Sequence, residues 1–223
     1  MMKLKSILLA LTLSLSPLTA LANDEVKSWK SYDSLGCMLL QECTEGVTPV
    51  VSMLDIANVY PESSYDHVTE EFNTMLTHLR HMGVTVYLAD EKYFPPNHRG
   101  VYHTVGNNFF LNDSFMHEPH VVMAVMRHEG WHAAQDCMAG SIDNSLIAII
   151  KPEESIPTFW RDTAERLYPE SSRAWEAEAL WAGHTEGVTM NALAACTTGA
   201  MWEIYEPTPL TREYLVKYGY IVE

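Results

Sequence analysis

Residues 127–137 read RHEGWHAAQDC, and the spacing of His128 and His132 decides which fold and which chemistry the chain can support. Four residues apart on an α-helix, two side chains stand one turn apart on a common face. Two imidazoles so placed can reach a single divalent ion at about 2.0–2.1 Å. Glu129 lies one step beyond the first histidine and is turned away by about 100°. It misses the ion and is left free to handle a proton of an attacking water. The pattern is H-E-x-x-H, whose meaning depends on the elements around it.

Upstream of the motif, Pro119 stands at a first helical position, Val121, Val122, Val125 and Met126 recur at helical spacing, and Gly140 closes the run. These signals predict a helix of about 20 residues. Residues 66–82 carry Val68, Phe72, Met75, Leu76 and Leu79 at the same period and stop at Gly83, which predicts an amphipathic helix with His78 and His81 as surface side chains. Between the two, residues 84–89 (VTVYLA), 101–105 (VYHTV) and 109–112 (FFLN) read as strands, the last two joined by a turn at Gly106-Asn107-Asn108. A small, mostly antiparallel sheet of about three strands follows. Beyond the motif, a short helix is expected near residues 162–167. A longer one runs from Pro169 to Cys196, bent or interrupted at Gly183 and Gly187. A short helix closes the chain. The fold class is α+β.

A catalytic zinc ion takes three protein ligands and keeps one position open. The stretch WEAEALWAGH, residues 175–184, offers Glu176 and Glu178. Two residues turn a helix by about 200°, so only one of them can face the ion. Glu176 is followed at i+3 and i+7 by Ala179 and Gly183, a strip of small side chains that lets its helix lie close to the motif helix; Glu178 stays the alternative. Gly130, which costs up to about 1 kcal/mol relative to alanine in mid-helix, points to close approach of another element, with simple tolerance of the residue as the other reading. Asp136, at i+4 from His132, is expected on a solvated face, with a bond to the ligand histidine as the other option. His184, Tyr168 and Tyr205 are candidate donors to a developing oxyanion, and each reads first as a packing or surface side chain.

H-E-x-x-H followed some tens of residues later by a helical glutamate resembles the gluzincin branch of the zinc metallopeptidases. The likeness is to its small one-domain members with a Glu-x-x-Ala pattern, here Glu176-x-x-Ala179. The resemblance covers about residues 101–196 and leaves the first 80 unexplained. It implies a zincin-like domain over residues 23–223, Zn²⁺ held by His128, His132 and Glu176, and Glu129 as general base in peptide-bond hydrolysis. It also implies a peptide or protein substrate, aligned in extended form by an edge strand, which is assigned to residues 109–112. Leu180 stands where the family often has an acidic residue, so the usual carboxylate behind the ligands is not supplied there. A different class is open to the same residues: a secreted zinc-binding or interaction protein that keeps the site and has no turnover.

The chain opens with Lys3 and Lys5, an apolar run from Ile7 to Leu15 and the small-residue pattern Ala20-Leu21-Ala22. This predicts a signal peptide over residues 1–22, cleaved after Ala22, and a secreted or periplasmic product without a stable membrane anchor. Loss of the two lysines takes the formal charge from −15 to −17, and no basic cluster follows. Nucleic acid is therefore not an expected partner. In an exported chain four cysteines predict two disulfides. Cys37 and Cys43 close a small loop within a disulfide-tied segment, residues 23–65, leaving Cys137 for Cys196. With Cys196 placed at the end of the glutamate helix, that second bridge is expected to join the two ligand-bearing helices. Nothing in the sequence speaks to oligomeric state.

Overall fold

The computed structural model describes residues 31–222; the expected signal peptide lies outside them. Every residue of the strand Asn108–Asn112 (β4) is buried. Burial on both faces belongs to an interior strand, and β4 sits inside a four-stranded sheet with Val47–Pro49 (β1), Thr85–Ala89 (β2) and Gly100–His103 (β3), in the order β1-β2-β4-β3. β1 pairs with β2 and β3 with β4 antiparallel, while β2 and β4 run parallel, so the sheet is mixed. It has one strand more than expected, because β1, three residues long, is too short to show a period in the sequence. The β3–β4 hairpin turns through residues 104–107, with Asn107 at φ 51°, just ahead of the expected turn. Residues 109–112 are consequently not the edge. The hairpin folds back so that its second strand docks on β2, and its first strand, β3, becomes the rim.

Nine α-helices are present among the described residues: Ser31–Leu39 (α1), Met53–Val59 (α2), Asp66–His81 (α3), Pro119–Met138 (α4), Thr158–Leu167 (α5), Arg173–Gly183 (α6), Val188–Thr197 (α7), Met201–Ile204 (α8) and Pro209–Lys217 (α9). The helix of the motif, α4, is buried around most of its circumference. It packs against α3, α6, α7 and β3, the position of a central helix with no single polar face. Its buried Met126 and Trp131 share one core cluster with Phe72, Phe109 and Leu193. A second cluster, with Met38, Tyr93, Phe94 and Phe110, lies on the other side of β4 and is covered by α1. That packing is the use to which the N-terminal segment is put.

The long helix expected from Pro169 to Cys196 is two helices, α6 and α7, parted at residues 184–187 where Gly187 takes the left-handed φ of 77°. The bridges Cys37–Cys43 and Cys137–Cys196 both form, consistent with an oxidising environment. Since Cys196 belongs to α7, the second bridge ties α4 to α7 and not to the helix that carries Glu176. Among the described residues no helix is long and apolar enough to cross a membrane.

Candidate metal centre

The site forms where α6 is pressed onto α4. A Cβ at Gly183 would come within 3.0 Å of the Ala124 carbonyl oxygen and 3.2 Å of His128 Cβ, so the approach exists only because that residue has no side chain. Ala179, one turn earlier, is fully buried in the same seam. Gly130 serves the opposite side: a Cβ there would lie 3.1 Å from Met75 Cε and Thr189 Cγ2, on α3 and α7. Both glycines were legible in the sequence as points of contact.

Across the seam, Glu176 Oε2 lies 3.4 Å from His128 Nε2 and 3.6 Å from His132 Nε2. One ligand atom from each of the three residues falls within 4.8 Å of the others. These separations are long for hydrogen bonds, which run to about 3.2 Å. They match the edge of a tetrahedron whose corners lie about 2.0–2.1 Å from a central ion, which is about 3.3–3.4 Å. Glu176 Oε2 is buried and has no hydrogen-bond partner, an atom whose burial calls for a cation. Burial would push the Glu176 carboxyl up, but the two histidines hold it well below the usual carboxylate range. Burial likewise disfavours a charged His132, yet contact with Glu176, then with Glu129, raises its pKa above the histidine norm. Both shifts have one cause, the imidazoles facing the carboxylate across a buried pocket. The residues present therefore fit a divalent ion.

Glu129 points elsewhere, as its 100° rotation on the helix requires. Its Oε2 accepts the backbone N–H of Tyr102 at 2.9 Å, on the side of β3 that faces away from β4. Gly100 permits this contact, since a Cβ there would fall 2.5 Å from Val125 Cγ1 and 3.2 Å from Glu129 Cγ. The Tyr102 hydroxyl in turn donates to Asp136 Oδ2 at 2.9 Å. Asp136 is fully buried, which corrects both expectations for it: it is neither on a solvated face nor bonded to His132. A position four residues past His132 would face solvent on an isolated helix, but on α4 it meets the aromatic ring of the rim strand.

Glu178 does not join the cluster. Its carboxylate accepts from Trp131 Nε1 at 3.1 Å, from Gln135 Nε2 at 2.7 Å and from the backbone N–H groups of Ile150 and Lys151. Gln135 Oε1 is 2.8 Å from His132 Nδ1. Of the three oxyanion candidates, Tyr168 alone stands at the site, its pKa raised by burial and by the nearby charges of Glu176 and Glu129. His184 stacks on Trp160 at 4.4 Å, and Tyr205 lies beneath Lys151. His78 contacts Thr197, apart from the metal cluster. The sequence reading missed Tyr102 and Gln135. Gln135 had a signal, being three residues past His132 on the same face; Tyr102 had none, because only the sheet order brings it to Glu129.

Compared with protein-family models, with curated proteins and with solved structures, the chain matches none.

Proposed function

We propose that this chain is an exported zinc-dependent peptidase of the gluzincin type, on a zincin-like fold, which hydrolyses peptide bonds. The observation that carries the reading is the placement of Glu176 Oε2 at 3.4 and 3.6 Å from two histidine nitrogens, with Glu129 beside the cluster and outside it. His128, His132 and Glu176 would hold the ion. When bound there, Zn²⁺ supplies a Lewis acid that polarises a scissile carbonyl and brings the pKa of water toward about 7.

The remaining work falls to side chains and backbone of the protein. Glu129 Oε1, left free by the bond that Oε2 makes to Tyr102 N–H, takes a proton from the attacking water and returns it to the departing amine nitrogen. The Tyr102 N–H holds the carboxylate at a fixed angle to the metal residues, so this transfer needs no reorientation. The Tyr168 phenol donates toward the carbonyl oxygen as negative charge develops on it. β3, the outer strand beside Glu129, offers a rim along which an extended peptide can align by backbone hydrogen bonds.

The test is a peptidase assay on the exported chain with one equivalent of zinc. Glu129→Gln is expected to retain about one zinc per chain and to lose hydrolysis, and Tyr168→Phe to lower kcat by about 100-fold with KM little changed. Full zinc occupancy with no turnover in the unaltered chain would leave the zinc-binding or interaction protein as the correct reading.

A further inference from the structure

Gln135 and Glu178 are polar side chains with relative exposures of 0% and 1%. Such burial is costly unless hydrogen bonds satisfy it. The Glu178 carboxylate meets donors only: Trp131 Nε1, the Gln135 side-chain nitrogen, and the backbone N–H groups of Ile150 and Lys151. A carboxylate can only accept, so it turns the nitrogen of the Gln135 amide toward itself. The Trp175 carbonyl, 3.1 Å from the same nitrogen, enforces the same orientation. The amide oxygen of Gln135 is thereby aimed at His132 Nδ1, 2.8 Å away. An acceptor at Nδ1 requires the ring hydrogen there and leaves the Nε2 lone pair directed at the position between His128 and Glu176.

We propose that Glu178 is a positioning residue of the metal centre, which fixes the tautomer and ring angle of His132 through Gln135 and so sets the affinity for a divalent cation. The relay also reaches the segment 148–151: Ala148 N–H bonds to the Gln135 backbone carbonyl, and Ile150 and Lys151 N–H bond to Glu178. Metal binding at His132 and the order of that segment are coupled through one carboxylate. The inference rests on the metal-site reading above and adds to it a residue outside the ligand set.

The experiment uses the full exported chain, stripped with a chelator and titrated with zinc alone against a chromophoric competitor. Glu178→Gln and Gln135→Met are each expected to weaken zinc binding by about 10- to 100-fold. Gln135→Met keeps the other three donors to Glu178, so it carries the test even if Glu178→Gln does not fold. In the unaltered chain zinc should slow amide exchange at Ile150 and Lys151, and in Gln135→Met it should not. A purely structural role lowers the thermal midpoint of the metal-free variants and leaves zinc affinity within about twofold of the unaltered chain; that result overturns the proposal. Absence of zinc binding in the unaltered chain overturns this proposal and the peptidase reading together. Weakened binding in the variants, with no peptidase activity in any form, supports the positioning role and removes only the peptidase reading.

Discussion

Asp136 shows what a single buried carboxyl does on α4. Burial, against the bond from the Tyr102 hydroxyl, pushes its pKa up to about 7, from an ordinary value of 3.8. The folded chain then holds a proton that the unfolded chain releases across that interval. The stability this group contributes is complete below about pH 4 and is lost as pH rises through 7. Metal-free protein should therefore lose stability between pH 5 and pH 8. Asp136→Asn should remove that part of the loss and be the more stable form at pH 8. Urea unfolding of both proteins at the two pH values measures this, and identical pH dependence in the two would exclude the effect. The residue also marks a boundary of sequence reading. The i+4 spacing from His132 is visible in the chain, but the partner, Tyr102, comes from a strand whose place is set by sheet order alone.

At the scale of elements, the seam between α4 and α6 decides the geometry of the site. Gly183→Val would drive a side chain into the Ala124 carbonyl and His128 Cβ, both within 3.2 Å of the Cβ position. Overpacking of this kind costs about 1–3 kcal/mol. Because it separates Glu176 from the histidines, zinc affinity should fall by tenfold or more. Gly130→Ala, whose Cβ meets the flexible end of Met75 and the Thr189 methyl group, should keep zinc affinity close to that of the unaltered chain. Zinc titration of the two variants separates the seam from general crowding. The motif helix and the amphipathic helix α3 were readable from periodicity; rotation about the helix axis left Glu176 or Glu178, and the strip of small side chains after Glu176 favoured the residue that joins the cluster. Gly183 and Gly187 marked an interruption of the long helix, and the chain does part α6 from α7 at residues 184–187. The interior place of β4 was not readable, since it turns on how the β3–β4 hairpin folds back against β2, which no local pattern records.

Among the described residues, two disulfides and three packed clusters hold the helices around the sheet. Cys137 and Cys196 are 59 residues apart in sequence, and closing a loop of that size stabilises by about 4 kcal/mol in the chain-entropy account. Replacing both with serine should lower stability by about that amount while zinc stoichiometry stays at one, because the bridge spans α4 and α7. Denaturant midpoints and metal content of the double variant check the two halves of that statement. α6 is held to the rest by packing and by the hydrogen bonds of Glu178 and the Trp175 carbonyl, without a covalent tie of its own. The two imidazoles thus belong to the stapled frame and the carboxylate to a helix outside it. Parting the carboxylate from the imidazoles would break those hydrogen bonds and the α4–α6 seam, while the frame and both staples stay intact.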